Sequence, residues 1–236
     1  MKVLGVIPAR YSSLRFPGKP LVDIAGKSMI QRVYEQAIKC KDLNKVLVAT
    51  DDDKIFNHVK LFNGNVIITS SNHQSGTDRC AEAVEKIGED YDIIINIQGD
   101  EPTINPFQIS SLIELLKNSK QGIGTLYKKI KSQKELDDLN TVKLIFNDDF
   151  EAINFFRENL FDKLLCNKHI GMYGFRKETL MKITMLPLSI NEKKHNLEQL
   201  RWLDNNYKIK VLETKTENIS IDTIDDLKKL LNNTKF

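Results

Sequence analysis

Short apolar runs alternate along the first half of the chain with segments in which apolar residues recur every three or four positions. The first pattern predicts strands and the second predicts amphipathic helices. We predict strands at residues 3–7, 46–49, 66–68 and 93–97. We predict helices at residues 29–38, 54–62, 78–87 and 106–118. This alternation indicates a parallel sheet whose strands are joined by helical crossovers.

The second half of the chain has a less regular pattern. It predicts strands at residues 142–146, 152–156, 172–175 and 209–213, some of them antiparallel. It predicts helices at residues 192–203 and 224–231, the second opened by a capping box of Thr223 and Asp226. The predicted fold class is therefore α/β, with a mostly parallel, mixed central sheet and helices on both faces. A weak boundary near residue 140 leaves two organisations open: one domain over residues 1–236, or two halves, 1–139 and 140–236.

Composition narrows the classes of function. The 236 residues carry a net charge of +3, which is too small to argue for binding to nucleic acid or a membrane surface. The three cysteines, Cys40, Cys80 and Cys166, are odd in number and far apart, so neither a disulfide framework nor a zinc site is indicated. Since the sequence has no signal-peptide pattern and no apolar run of membrane length, we expect a cytoplasmic protein.

The loop after the first predicted strand is rich in positive charge. It carries Arg10, Arg15 and Lys19 together with serines and a Pro-Gly turn. Open parallel sheets bind ligands at the carboxyl ends of their strands, and guanidinium and ammonium groups suit phosphate oxygens. The loop is therefore predicted to bind a polyphosphate, although it lacks P-loop spacing and no GxGxxG motif is present. The alternative is a solvated basic loop.

Two acidic residues are candidates for metal binding. Asp100 comes just after the predicted strand 93–97, and Asp222 lies at a predicted strand-to-helix junction. Carboxylates in such places can hold Mg²⁺, which prefers hard oxygen ligands. Alternatively, Asp100 caps a turn and Asp222 acts on the N-terminus of the last helix. Spacing in the sequence does not show whether the two acids meet.

Two polar segments precede predicted helices. The acids at 51–53 are interpreted as helix-capping residues. The segment 73–77 offers hydroxyls and hydrogen-bond donors to a ligand, or else Thr77 is simply the N-cap of the helix that follows.

A series of motifs resembles one enzyme family. The motifs are VIPARYSSLRFPGKPL, VATDD, HQSGTDR, NIQGDEP, HIGMYGFR, LEQLRWL and IDTIDDL. In this combination, from Val6 to Leu227, the chain resembles the CMP-Kdo synthetases, or 3-deoxy-manno-octulosonate cytidylyltransferases. The resemblance implies a nucleotide-diphospho-sugar-transferase-like (Rossmann-like) fold and a cytoplasmic homodimer. It also implies transfer of CMP from CTP to 3-deoxy-manno-octulosonate (Kdo), with Mg²⁺ as cofactor, for lipopolysaccharide or capsule biosynthesis.

The resemblance also implies roles for single residues. Arg10, Arg15 and Lys19 would bind the phosphates of CTP, and Lys19 would be catalytic. Asp100 and Asp222 would be catalytic and would ligate magnesium. The other CTP-binding residues would be Pro8, Ala9, Ser75, Thr77 and Gln98. The sugar would be bound by Gln98, Arg157, His169, Tyr173, Glu198 and Gln199, so that residues 1–139 would bind nucleotide and residues 140–236 would serve sugar binding and dimerisation.

The chain departs from the family pattern on the sugar side. Phe156 precedes Arg157 where the family has serine, and Glu158 follows where the family begins Pro-Ile-Pro. An amino-substituted Kdo or a sialic acid-like sugar is therefore an alternative substrate, and a non-catalytic nucleotide-binding protein is a further alternative. Alternatively, His169 and Tyr173 are core residues and do not bind the sugar. Glu198 and Gln199 are neighbours on a predicted helix, so they do not both face the sugar.

Overall fold

The structure, a computed structural model, describes residues 1–12, 16–158, 165–216 and 218–234. The chain forms two compact units, one of residues 1–110 with 218–236 and one of residues 111–217. The C-terminal segment therefore belongs to the same unit as the first strands. The bounds of these units differ from the predicted halves, 1–139 and 140–236. The division into units also does not test which residues bind nucleotide and which bind sugar, so both assignments stay predictions.

The first unit is built mainly on parallel strands. Its strands are β1 (Val3–Ala9), β2 (Asp23–Ile24), β3 (Lys27–Ser28), β4 (Lys45–Thr50), β5 (Val66–Ile68) and β6 (Ile93–Asn96). Its helices are α1 (Met29–Ala37), α2 (Asp53–Leu61) and α3 (Gly76–Lys86), and α4 (Pro106–Asn118) begins in it. β2 and β3 form a short antiparallel hairpin. The other strands form a parallel sheet in the order β6-β1-β4-β5.

The parallel sheet forms because its strands are apolar on both faces. The side chains of Val6, Ile7, Val48, Ile94 and Ile95 are fully buried. Such continuous burial is typical of parallel strands joined by helical crossovers. Because the four strands run in the same direction, their carboxyl ends lie at one edge of the sheet, and the loops that leave this edge carry the candidate site.

The second unit has mixed strand directions. Its strands are β7 (Ile123–Lys129), β8 (Lys143–Phe146), β9 (Ala152–Phe156), β10 (Asn167–Arg176) and β11 (Ile209–Glu213). Its helices are α5 (Gln133–Asp137), α6 (Lys177–Ile183), α7 (Ile190–His195) and α8 (Gln199–Asp204). β10 pairs antiparallel with β7 and β8, β8 pairs antiparallel with β9, and β11 pairs parallel with β7. The chain then enters α9 (Ile224–Asn233), which belongs to the first unit.

An aromatic cluster fills part of the second unit's core. The rings of Tyr173 and Phe175 meet the indole of Trp202 edge-on, with centroid separations of 5.0 and 5.5 Å. All three side chains are buried, so Trp202 is a core residue. Edge-to-face packing of this kind stabilises aromatic pairs beyond the area that they bury.

The predicted fold class is confirmed, and most predicted elements are present with shifted ends. The predicted helix at residues 192–203 is wrong, because α7 ends at His195 and its C-cap, Asn196, has a left-handed φ of 53°. Asparagine tolerates this conformation better than most residues, and α8 starts only at Gln199. β7 was not predicted, and the predicted strand at 172–175 is the last part of the longer β10. The capping box of Thr223 and Asp226 is present at the start of α9.

Two expectations from composition concern cysteines and membranes. The three cysteines are buried thiols and form no disulfide in the part of the chain that is described. Within the same residues, no helix combines the length and the hydropathy needed to cross a bilayer.

Candidate functional site

A cavity of about 290 Å³ lies in the first unit, where the loops leave the carboxyl edge of the parallel sheet. Four segments line it: the end of β1 with the loop after it, the loop before α3, the loop after β6, and the segment before α9. Among its lining residues are Pro8, Ala9, Arg10, Lys19, Ser75, Gln98, Asp100 and Asp222. The cavity therefore gathers most residues that the sequence assigns to CTP and to the metal.

Lys19 joins the two candidate acids. Its Nζ lies 2.7 Å from Oδ2 of Asp100 and 3.2 Å from Oδ1 of Asp222. The lysine side chain is 15% exposed, whereas those of the acids are 25% and 42% exposed. The structure thus brings together two carboxylates that are far apart in the sequence, with a cation between them.

Backbone geometry explains how these three side chains meet. Lys19 opens a 3₁₀ turn after Gly18, whose φ of 72° favours glycine, and the Gly18 amide donates to the carbonyl of Tyr11 at 3.0 Å. On the other side, the amide of Ile221 donates to the carbonyl of Asp100 at 3.0 Å. This bond fastens the segment before α9 to the loop after β6, and so places Asp222 beside Asp100.

The donor set suits a hard divalent cation. Asp100 and Asp222 offer only carboxylate oxygens, which Mg²⁺ prefers. Among the described residues, no group of three or more histidine, cysteine or acidic side chains is arranged to hold a metal. Two protein carboxylates nevertheless fit Mg²⁺, because this ion usually keeps several waters and substrate phosphates in its shell. That Asp100 and Asp222 ligate magnesium stays a prediction.

The segment before α3 packs closely on β1. A Cβ on Gly76 would lie 3.2 Å from Cγ of Pro8, so a larger residue would push this segment away from the strand. The N-cap of α3 is Ser75, whose hydroxyl accepts from the amide of Asp78 at 3.1 Å. The alternative of Thr77 as N-cap is therefore wrong, and Thr77 is a buried residue of the first turn. Of the predicted phosphate ligands, Arg10 lines the cavity, whereas Arg15 lies outside the described residues.

Further residues of the HQSGTDR motif line the cavity, among them Arg79, which the sequence analysis gave no role, and His73, which it named only within the polar segment 73–77. Arg79 is buried, and its guanidinium donates to Oγ1 of Thr69 at 2.6 Å and to Oδ2 of Asp51 at 3.0 Å. Asp51 is thus an ion-pair partner, and Asp52 is the capping residue of α2. The other residue is His73, whose Nε2 bonds the carboxylate of Glu82. For His73 the available signal was its position in a polar segment before a helix, whereas Arg79 lies within α3 and carried no such signal.

Of the residues assigned to the sugar, only Gln98 belongs to the first unit, where it lines the cavity. On β10 of the second unit, His169 bonds Oγ1 of Thr125 through Nε2 at 2.9 Å. The hydroxyl of Thr125 has one hydrogen, which it donates to the carbonyl of Met172 at 2.8 Å. We therefore assign the proton of the histidine to Nε2. Burial lowers the pKa of His169 to about 3, so its imidazole is neutral.

Tyr173 is buried, and its hydroxyl has no hydrogen-bond partner among the described residues. Burial raises the pKa of Tyr173 well above its usual value, and the charge of Glu198 adds to the effect. Gln199 is buried at the start of α8, whereas Glu198, just before it, is half-buried. An unsatisfied buried hydroxyl is unusual in a residue that serves only packing.

Arg157 is held within the second unit by a loop. Its Nη1 donates to the carbonyls of Leu139 and Asn140, at 3.2 and 3.0 Å. Its own carbonyl accepts a hydrogen bond from the buried ammonium of Lys143. Contact between Arg157 and a sugar carboxylate stays a prediction, as do the other assignments to the sugar.

Comparison with known proteins gives consistent matches. A family model described as cytidylyltransferase matches residues 4–211. Proteins named 3-deoxy-manno-octulosonate cytidylyltransferase are similar over nearly their whole length. The one from Parabacteroides distasonis is 49% identical over 98% of this chain and 97% of its own, and the one from Geobacter sulfurreducens is 41% identical over 100% of both.

Solved structures agree with these matches. A structure described as CMP:2-keto-3-deoxy-manno-octonic acid synthetase complexed with CTP is similar with a TM-score of 0.93 and 38% identity, over 98% of each chain. A 4-diphosphocytidyl-2C-methyl-D-erythritol synthase from Anaerococcus prevotii has a TM-score of 0.67 at 15% identity, over 98% of this chain and 97% of its own. The second likeness concerns the fold alone.

Proposed function

We propose that this chain, which belongs to the cytidylyltransferase family, transfers CMP from CTP to the anomeric hydroxyl of Kdo and releases pyrophosphate. Two findings support the reaction: the full-length similarity to enzymes named for it, and the similarity to a synthetase solved with CTP. The observation that carries the proposal is the ion pair of Lys19 with both Asp100 and Asp222 inside one cavity.

Binding of the triphosphate is the first task of the cavity. Arg10 and Lys19 supply cationic donors on its lining, and the amino end of α3 presents backbone N–H groups beside Ser75. Helix N-termini and basic side chains are the usual means of binding phosphate oxygens. Pro8 and Ala9 would lie along the nucleoside, where Gly76 permits the close approach of two segments.

Nucleotidyl transfer requires mainly that the protein position the two substrates and neutralise the charge on the phosphates. The sugar hydroxyl attacks the α-phosphorus while the bond to pyrophosphate breaks, so negative charge grows on the departing oxygens. Lys19 and Arg10, both on the cavity lining, would bind those oxygens. Asp100 and Asp222 would hold Mg²⁺, which when bound supplies further positive charge to the phosphates.

Recognition of the sugar would use the second unit. The hydroxyl of Tyr173 is buried and lacks a partner in the described part of the chain, and the neutral His169 keeps its Nδ1 as an acceptor. Groups of this kind suit the hydroxyls of a sugar acid. We further propose that the enzyme acts as a cytoplasmic homodimer and supplies CMP-Kdo for lipopolysaccharide or capsule assembly, as the family resemblance implies.

Release of pyrophosphate from CTP and Kdo, with Mg²⁺ present, tests this function. We expect Asp100→Asn to lower kcat by at least ~100-fold, as loss of a residue that organises charge in the transition state does, while CTP still binds. Asp53→Asn is the matched control, because this exposed carboxylate in the first turn of α2 lies outside the cavity lining. An unchanged rate for Asp100→Asn would remove Asp100 from the mechanism. Turnover of an amino-substituted Kdo or a sialic acid but not of Kdo would overturn the choice of sugar.

A further inference from the structure

The segment before α9 carries Asp222, yet it belongs to no helix or strand. Residues 218–223 therefore depend on contacts with other parts of the first unit for their position. The amide of Ile221 donates to the Asp100 carbonyl, as described above. The side chain of Ile221 is fully buried in an apolar cluster that includes Met29 of α1. Both contacts act at residue 221, directly before Asp222.

The loop after β6 also holds the start of this segment, through the side chain of Glu101. Glu101 is buried, and its Oε2 accepts a hydrogen bond from Nδ2 of Asn218 at 2.7 Å. Because the carboxylate is the acceptor, the nitrogen and not the oxygen of the Asn218 amide faces it. Two consecutive residues of one loop, Asp100 and Glu101, thus bind the segment at positions 221 and 218.

Glu101 is not itself arranged as a metal ligand, although it is acidic and follows Asp100. Asp100 and Asp222 line the cavity, whereas Glu101 is not among the described residues of its lining. In the part of the chain that the structure describes, no set of three or more acidic, histidine or cysteine side chains is arranged to hold a metal ion. The bond to Asn218 therefore gives this buried carboxylate a role other than ligation.

The position of Asp222 matters because a small divalent ion tolerates little error in the placement of its ligands. Mg²⁺ takes near-ideal octahedral geometry, with ligand oxygens at about 2.0–2.1 Å. Asp222 is the less constrained of the two acids: its side chain is 42% exposed and lies 3.2 Å from Nζ of Lys19, against 25% and 2.7 Å for Asp100. Groups that orient a ligand without touching the metal commonly change metal affinity by about 10–100-fold.

We propose that Glu101 and Asn218 are positioning residues, and that their hydrogen bond holds Asp222 at the distance from Asp100 that binding of Mg²⁺ requires. This inference rests on the proposed function, since it concerns the metal of that reaction. It assigns a role to two residues that the mechanism above does not use. Because the hydrogen bond acts through Asp222, its loss should weaken the binding of the metal and leave the binding of CTP without metal unchanged.

Binding of Mn²⁺, a paramagnetic substitute for Mg²⁺, to the full chain saturated with CTP tests the inference. Enhancement of water proton relaxation distinguishes Mn²⁺ in the ternary complex from Mn²⁺ on free CTP. Asn218→Ala and Glu101→Ala should each weaken Mn²⁺ binding by about tenfold or more. Glu101→Gln keeps an oxygen that accepts from Asn218, so this variant should keep most of the affinity. Ser220→Ala is the matched control and should change nothing, because this exposed side chain lies in the same segment.

A double variant separates positioning from mere support of the fold. In a chain that already carries Asp222→Asn, Asn218→Ala should weaken Mn²⁺ binding no further, because it acts through Asp222. In pyrophosphate release, Asn218→Ala should raise the half-saturating concentration of Mg²⁺ about tenfold and leave kcat at saturating Mg²⁺ nearly unchanged.

Three results would overturn the inference: unchanged Mn²⁺ affinity in Asn218→Ala and Glu101→Ala, additive losses in the double variant, or an equal fall of kcat at every Mg²⁺ concentration. The last result would mean that the hydrogen bond only supports the fold. If Mn²⁺ affinity changes as expected but the parent chain forms no CMP-Kdo, the proposed function fails while the inference stands.

Discussion

Arg201 and Glu192 form an ion pair whose loss should be costly for the second unit. Nε and Nη2 of the guanidinium lie 2.7 and 2.6 Å from the two carboxylate oxygens. The side chains are only 5% and 11% exposed. Glu192 also closes the capping box of α7 with Ser189, so the pair joins the first turn of α7 to α8.

The magnitude follows from this burial. Arg201→Met leaves the Glu192 carboxylate buried without its cation, and breaking a buried pair in this way costs about 3–5 kcal/mol. For a chain of this length such a loss lowers Tm by roughly 6–20 °C. Replacing both residues by methionine should recover much of the loss, because no uncompensated charge then remains.

Urea and thermal unfolding of the three variants and the parent measure these values. Lys228→Met is the matched control, since Lys228 and its partner Asp225 are 69% and 78% exposed and their pair should contribute under about 0.5 kcal/mol. Should Arg201→Met cost no more than this control, the pair does not stabilise α7 against α8. If the double variant is less stable than Arg201→Met, the explanation by an uncompensated charge is refuted.

Two further predictions concern the backbone and pH. Residue 196 has a φ of 53°, which glycine adopts without strain and alanine does not. Asn196→Gly should therefore change the free energy of unfolding in urea by only a few tenths of a kcal/mol, whereas Asn196→Ala should lower it by about 1 kcal/mol. Equal stability of the two variants would contradict this. Burial alone would raise the folded pKa of Glu82, but the bonds from Lys86, Ser70 and His73 outweigh it and lower this pKa to about 2. The contribution of Glu82 is therefore present above pH ~4.5 and is lost as pH falls toward 2. Glu82→Gln should therefore destabilise the chain by at most ~3 kcal/mol at pH 7 and by much less at pH 3, and a cost independent of pH would refute the reasoning.

The sequence predicted the parallel part of the fold well because burial on both faces leaves a plain apolar pattern. β7 was missed although β10 and β11 both pair with it. Its sequence, IGTLYKK, combines a glycine with two terminal lysines, so its pattern is not that of a buried strand. Gly124 packs against Leu112 and Leu115 of α4, a close approach that only the folded unit reveals.

The same limit applies to the helix predicted at residues 192–203. Its apolar residues, Leu197, Leu200, Trp202 and Leu203, all follow Asn196, so periodicity does not show where the helix begins. In the structure the break lets Arg201 reach back to Glu192, and this buried pair couples two short helices. One long helix and two short helices have similar helix propensity in this sequence, and the contact between Arg201 and Glu192 in the folded unit favours the two short helices.

The acidic pair shows which part of a site the sequence can supply. That a ligand would bind where β1 and β6 end follows from strand direction alone, and Lys19 and Asp100 lie in the segments that come next after those strands. Asp222 comes 122 residues after Asp100, and no local rule relates the two. The bond from the Ile221 amide to the Asp100 carbonyl joins them, and a backbone amide leaves no trace in the sequence. Residue type therefore predicts which chemistry a loop offers, whereas the convergence of two loops depends on hydrogen bonds that any residue except proline can make.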